Sequence, residues 1–186
     1  SYYANGELQL YVNAVGMRRV CTWEGGLKKS VTYADGTADA YTITYSYDAR
    51  NRLVQEDSGV LFQGQMVSTR YEYDDNGNKT ATLQAAGIVG QERITRYAYD
   101  AQNRLISITD PEGKSTRYGY DAAGDQVWIL DAKGTVTITR KNAQGLVSER
   151  VVGKASLTAG GDPVLSDGLP VITSANGGVR TTYTYD

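Results

Sequence analysis

The sequence contains no histidine, one cysteine, three prolines and one phenylalanine in 186 residues. Without histidine the chain lacks the usual general base and the commonest zinc ligand, so any catalytic proposal rests on carboxylates. Cys21 cannot form an internal disulfide, and we expect it to be a small buried or half-buried residue. These absences argue against thiol or imidazole chemistry.

Charge and hydropathy argue against two further classes of protein, those that bind nucleic acid and those that span a membrane. The formal net charge is −2 and the basic residues are scattered, which gives no basic face suited to nucleic acid. No apolar run is long enough to span a membrane, and no signal peptide is present in this segment. We therefore expect no nucleic-acid partner, no membrane span and no cofactor.

Tyrosine, with 15 copies, is the abundant aromatic residue, and much of it lies in one repeated motif. Tyr-x-Tyr-Asp occurs five times, beginning at Tyr45, Tyr71, Tyr97, Tyr118 and Tyr183. The second tyrosines fall at positions 47, 73, 99, 120 and 185, so the first three steps are 26, 26 and 21 residues. Near-constant spacing identifies an array, in which a motif is interpreted first by what it builds.

A fixed pattern follows each motif and predicts a turn. The third residue after the aspartate is Gly or Asn in the first four motifs, and a worn copy over 139–145 ends in Gly145. Gly and Asn tolerate positive φ, while a leading Asp accepts backbone N–H groups. We expect a type I turn followed by a left-handed bulge residue.

Short strand-like runs separate these turns from further turns of related form. The runs are 53–55, 79–83, 105–109, 126–130 and 146–152, and the second turns begin at Gln84, Asp110 and Asp131. The alternation of strand and tight turn predicts an all-β fold. The predicted fold is an antiparallel meander of hairpins that forms a curved, spiralling single-layer sheet.

Both tyrosines of a motif lie on one face of their strand, because residues two apart share a face. Ser46, Glu72, Ala98 and Gly119 point the other way, and stacked units would align the tyrosines in a ladder of aromatic cross-strand contacts. The predicted structural-motif residues are Tyr45, Tyr47, Asp48, Asn51, Tyr71, Tyr73, Asp74, Gly77, Tyr97, Tyr99, Asp100, Asn103, Tyr118, Tyr120, Asp121 and Gly124.

The repeated aspartates could suggest acid–base catalysis, but each occupies the same turn-forming place in its own unit. Repetition favours a structural role. The oxygen-rich run 74–78 could suggest calcium, yet it lacks the spacing and terminal Glu of a helix-loop-helix site. We therefore predict no catalytic residue and no metal site.

The chain divides into four predicted segments. Residues 1–40 are degenerate repeats with turn signals at Tyr3–Gly6, Gly25-Gly26 and Tyr33–Gly36, and residues 41–152 are the repeat array. Residues 153–180 form a Gly/Pro-rich insertion or degenerate repeat, and residues 181–186 start a further repeat. Because the chain begins without Met and stops directly after a motif, we expect a piece of a longer protein.

Tyr97–Leu105 followed by Thr109–Gly113 resembles the YD repeat of the Rhs family. The resemblance covers residues 41–150 clearly and 183–186 in part. It implies kinship with bacterial Rhs and Tc-toxin proteins, whose repeats wind a sheet into a hollow shell around a toxic polypeptide, and with teneurin-like YD shells. Asp110-Pro111 begins an ordinary repeat turn and Asp162-Pro163 lacks the following Gly, so no autocleavage site carries over.

The resemblance implies a non-enzymatic scaffold segment of a secreted or cell-surface bacterial shell, of the polymorphic-toxin kind, that encapsulates or presents a toxin or effector polypeptide. Its partners would be the remainder of its own shell and the enclosed cargo. Open strand edges would also permit edge-to-edge self-association. The alternative is a surface recognition module that binds glycan or a partner protein through exposed tyrosines.

Overall fold

The computed structural model describes residues 1–173 and 178–184. Every regular element among them is a strand, which confirms the all-β class. No helix in these described ranges is long and apolar enough to cross a membrane. The chain divides into two compact units, Ser1–Thr95 and a second that begins at Arg96.

The first unit is an antiparallel meander in which consecutive strands pair. Its strands are β1 (Leu10–Val12), β2 (Arg18–Glu24), β3 (Leu27–Tyr33), β4 (Tyr41–Tyr47), β5 (Leu53–Phe62), β6 (Gln65–Tyr73) and β7 (Lys79–Gln84). Gly25 and Gly26 form the predicted turn between β2 and β3, both with positive φ. Cys21 is buried, as predicted.

The second unit continues the same meander order. β8 (Arg93–Tyr99), which contains the unit boundary, is followed by β9 (Leu105–Thr109), β10 (Ser115–Tyr120), β11 (Gln126–Leu130), β12 (Thr135–Lys141) and β13 (Val147–Lys154). Consecutive strands pair antiparallel, and β16 (Val179–Thr182) pairs with β13. The antiparallel meander is therefore confirmed within each unit.

Residues 155–173, which we call the cover segment, pack on one face of this sheet. They contain a small hairpin of β14 (Leu165–Ser166) and β15 (Leu169–Pro170). The buried core of the unit consists of Trp128, Leu130, Val136 and Ile138, and Leu169 and Ile172 of the cover segment pack against it. This part of the Gly/Pro-rich segment 153–180 thus supplies apolar cover for the strands that precede it.

Several strand and turn boundaries differ from prediction, including the ends of β7 and β13, which were predicted as runs 79–83 and 146–152. β5 continues to Phe62 because its hairpin with β6 turns at Gln63 and Gly64, both with positive φ. The turn after β7 closes through Ile88 N–H to Ala85 O at 3.1 Å, one residue later than predicted. The four-segment division of the chain stays a prediction, and Tyr185 and Asp186 lie outside the described residues.

Candidate functional site

The four complete motifs end in turns of one geometry. The N–H of the third residue after each aspartate donates to that aspartate's carbonyl at 2.9–3.1 Å. These third residues are Asn51, Gly77, Asn103 and Gly124, with φ of 62°, 92°, 61° and 92°. The paired strands shift register beside each of these four turns. The predicted type I turn with a left-handed bulge residue is present.

The aspartate carboxylates are held inside these turns. Asp100 Oδ1 accepts the N–H groups of Gln102 and Arg104, both at 2.9 Å, and Asp48 and Asp121 accept the equivalent pairs. These carboxylate Oδ1 atoms therefore already accept hydrogen bonds from the backbone of the turn that they were predicted to shape.

Hydrogen bonding lowers the pKa of three of these carboxyls. For Asp48 the Arg52 N–H is the main cause and outweighs burial. For Asp74 the Asn78 side chain is the main cause. For Asp100 burial acts to raise the pKa, but the backbone and side chain of Arg104 together outweigh it.

The 74–78 run, considered for calcium, forms the same turn. Asp74 accepts the Asn78 N–H on Oδ1 at 2.8 Å and the Asn78 side-chain amide on Oδ2 at 2.9 Å. No group of three or more acidic, cysteine or histidine side chains that could hold a metal occurs within 1–173 and 178–184.

An arginine four residues after the aspartate joins one turn to the next, and the sequence reasoning missed this role. Arg52 Nε donates to Asp48 Oδ2 at 2.7 Å, and Arg52 Nη1 donates to the carbonyl of Asp74 at 3.0 Å. Its guanidinium carbon lies 4.6 Å from the centroid of the Tyr73 ring. The sequence signal that could have revealed this role was the arginine that directly follows both Asn51 and Asn103.

The second unit repeats these contacts with other residues. Arg104 Nε donates to Asp100 Oδ2 at 2.7 Å and Nη1 to the carbonyl of Asp121 at 3.1 Å. Its guanidinium carbon lies 4.7 Å from the Tyr120 ring centroid. We call this set of contacts the latch. It consists of the Asp and Arg side chains of one turn, and the Tyr ring and Asp carbonyl of the next motif.

The second tyrosine completes the latch through its hydroxyl. Tyr73 donates to the Leu53 carbonyl at 2.7 Å and Tyr120 to the Leu105 carbonyl at 2.8 Å. Both acceptors directly follow the latch arginine. Burial raises the pKa of Tyr73, against an opposing effect of Arg52. Each ring is thus fixed by stacking and by a hydrogen bond at its polar end.

The first tyrosine of each motif pairs with a non-aromatic residue on the strand that follows it. These partners are Glu56, Thr82, Ile108 and Ile129. A stacked aromatic pair occurs between Tyr33 and Tyr41, at 5.1 Å between centroids, and the ladder of motif tyrosines stays a prediction. Burial and then Glu56 raise the pKa of Tyr45.

The face opposite the tyrosines is polar in the first unit. Asp57 Oδ1 accepts from the Ser68 hydroxyl at 2.5 Å and from the Gln55 side-chain amide at 2.8 Å. The hydroxyls of Thr32 and Thr42 pair across strands at 2.8 Å. The polar side chains on this face therefore satisfy one another.

In the second unit the same face becomes apolar at Gly119. A Cβ at Gly119 would lie 2.0 Å from the Trp128 indole, so only glycine fits under this ring. Trp128 Nε1 donates to the Gly168 carbonyl at 3.2 Å. Arg117 also donates to the Gly161 carbonyl at 2.8 Å and pairs with Asp162 at 3.1 Å, so three side-chain contacts hold the cover segment.

The sequence model of the RHS Repeat family matches residues 90–113 and 99–136. This part of the chain matches the repeat family that the sequence resembles, the Rhs/YD-repeat family. The matched residues include two Tyr-x-Tyr-Asp motifs and the latch of Arg104 with Tyr120. Recurrent turn chemistry and the family match thus coincide in the same part of the chain.

Curated relatives are much longer than this chain. It is 31% identical over 91 residues to the tRNA nuclease WapA of Bacillus subtilis strain 168 and to the tRNA3(Ser)-specific nuclease WapA of Bacillus spizizenii. Each match covers 49% of this chain and 4% of the relative. The matched region is therefore a small part of those nucleases.

Two solved structures that contain Tc-toxin proteins align with nearly the whole length of this chain, at TM-scores of 0.48 and 0.41. The Photorhabdus luminescens Tc holotoxin pore with a TccC3 mutation aligns with 97% of this chain and 12% of its own, at 13% identity and a TM-score of 0.48. The TcdB2-TccC3-TEV crystal structure aligns with 100% and 14%, at 16% identity and a TM-score of 0.41.

Proposed function

We propose that the chain is a scaffold segment of a shell of Rhs repeats, whose sheet curves and spirals to encapsulate or present a toxin or effector polypeptide. Its partners are the remainder of the repeat shell and the enclosed polypeptide. The parent protein is secreted by, or displayed on, a bacterial cell. The segment itself catalyses no reaction.

The latch is the observation that carries this proposal. The motif residues that could have formed a reactive site contact one another instead: Asp48 binds Arg52, and Arg52 covers Tyr73. The same contacts recur at Asp100, Arg104 and Tyr120. A contact that recurs at two of the four complete motifs and joins successive turns supports an architectural role.

The polar face supports the part of the proposal that concerns a client. Asp57, Ser68 and Gln55 already pair with one another, so this surface offers few unsatisfied groups for tight binding. Such a face suits broad, weak contact with a polypeptide of any sequence. We therefore assign the face opposite the tyrosines in the first unit as the one that meets cargo.

We attribute no nuclease chemistry to this chain, although its WapA relatives are named for it. The recurring carboxylates are held within turns, and the matched region is 4% of each relative. Recognition of glycans through the motif tyrosines is also less well supported, because the tyrosines of the four complete motifs are half-buried and only Tyr183, among the described motif tyrosines, is exposed.

Electron microscopy of a longer version of this chain, with further repeats at both ends, tests the architecture. We expect closed hollow particles, and an open rod would contradict the proposal. A polypeptide fused after the last repeat should resist added protease inside such particles. Replacing Arg52 and Arg104 together by alanine should raise cleavage of the fused polypeptide, whereas Lys29→Ala, at an exposed ion pair, should leave it unchanged.

A further inference from the structure

The first turn of the chain is a degenerate copy of the latch turn. Tyr3 N–H donates to the Glu7 carbonyl at 2.8 Å, as Asp48 N–H donates to the Arg52 carbonyl at 2.9 Å. Gly6 N–H donates to the Tyr3 carbonyl at 3.0 Å, and Gly6 has a φ of 86°. Tyr3 therefore stands in the aspartate place, and Glu7 stands in the place of the latch arginine.

Trp23 stands in the place of the second tyrosine. Its Nε1 donates to the Leu8 carbonyl at 2.9 Å, and Leu8 follows Glu7 as Leu53 follows Arg52. Tyr73 makes the equivalent bond to the Leu53 carbonyl at 2.7 Å. The ring of this first latch is thus an indole, the aromatic group that attracts cations most strongly.

These exchanges open a cavity and reverse its charge. The cavity has a volume of about 420 Å³ and is lined by Tyr3, Ala4, Asn5, Glu7 and Trp23. At the complete latches this location holds an arginine, whereas here it holds a carboxylate. Lys28 Nζ lies 5.2 Å from the Trp23 ring centroid, but Lys28 is not part of the cavity lining.

We propose that this cavity binds the guanidinium group of an arginine side chain presented by a separate polypeptide. The planar cation stacks on Trp23, as Arg52 stacks on Tyr73 at 4.6 Å, and pairs with the Glu7 carboxylate. Arginine fits better than lysine because its planar guanidinium can stack on the indole ring and donate hydrogen bonds to a carboxylate at the same time. The proposal does not depend on whether the repeats enclose cargo.

Titration with the peptide acetyl-Gly-Arg-Gly-amide tests the site on the full chain. The chain has two tryptophans, so the indole N–H signals in a ¹⁵N NMR spectrum report on Trp23 and, as an internal control, on Trp128. We expect the Trp23 signal to shift in a saturable way and the Trp128 signal to stay in place. The same peptide with neutral citrulline should produce no saturable shift.

Variants of Glu7 make the test specific. Glu7→Gln should weaken binding about fivefold or more, because it removes the charged partner. Glu7→Arg should abolish binding, because the chain's own guanidinium would then cover Trp23. Glu72→Gln removes the same charge from an exposed residue of β6 and should leave the affinity unchanged.

Three results would overturn the proposal. One is an equal response to the citrulline peptide, and another is unchanged affinity in Glu7→Gln while the Trp128 signal shows an intact fold. The third is apparent affinity that falls as protein concentration rises while dimers form, since the arginine would then come from a second copy of this chain.

Discussion

The guanidinium of Arg104 lies 4.7 Å from the ring centroid of Tyr120, which belongs to the next motif along the chain. The same arginine pairs with Asp100 at 2.7 Å, so one side chain joins the end of one hairpin to the beginning of the next. The contact explains why arginine, tyrosine and aspartate recur together.

Replacing this arginine should destabilise the fold in a graded way. We expect Arg104→Ala to lower the free energy of unfolding by about 1–2 kcal/mol, through loss of the stacked cation and of charged hydrogen bonds. Arg104→Lys should recover only part of this, since an ammonium cannot stack as a plane. Urea unfolding measures both; Lys29→Ala, which removes an exposed pair, should change stability by less than about 0.5 kcal/mol.

Adding a methyl group at Gly119 should dislodge Trp128 and loosen the cover segment. The new Cβ would lie 2.0 Å from the indole, so Gly119→Ala should cost about 1–3 kcal/mol and speed amide hydrogen exchange in residues 165–170. Gly160→Ala is the matched control within the cover segment, because its Cβ would meet atoms no closer than 3.7 Å. Equal exchange in the two variants would contradict the role of Gly119.

Asn51 should tolerate glycine but not a branched residue. Its φ of 62° is left-handed, a conformation that costs an ordinary L-residue about 1–2 kcal/mol. We expect Asn51→Gly to unfold at the wild-type urea concentration or slightly above, and Asn51→Val to unfold well below it. If valine were tolerated as well as glycine, the bulge would not depend on this conformation.

The lowered pKa values of Asp48, Asp74 and Asp100 predict loss of stability in acid. A carboxyl with a lowered folded pKa stabilises the fold above its unfolded pKa, near about 3.9. That contribution disappears as the pH falls through the lowered folded value. Urea midpoints should therefore drop between about pH 5 and pH 2, and the triple Asp→Asn variant should show a flatter pH dependence. An unchanged pH profile in that variant would contradict the assignment.

The turns were predictable because their signals are local. An aspartate and a Gly or Asn three residues later fix the chain reversal within four positions, and Asn103 and Gly124 have the expected positive φ. The strand runs 105–109 and 126–130 also match the structure residue for residue. The latch arginine was visible as a recurrent Arg, but its ring partner lies 16 residues further on at Tyr120.

The packing of the cover segment on the sheet could not be predicted from local sequence patterns. Trp128 and Gly168 are 40 residues apart, and nothing near either residue indicates the other. The glycine at position 119 was expected to point away from the tyrosines, but the reason for glycine there depends on the indole of the neighbouring strand.

By itself the sequence determined the repeat, the turn type and the meander, because hydrogen bonds within four residues and the two-residue period of strands set all three. The tertiary structure decided how the repeats are joined and which face of the second unit is covered. Stacking of Arg104 on Tyr120 and packing of Leu169 on the Trp128 core depend on side chains brought together only when strands pair, so no local pattern contains them.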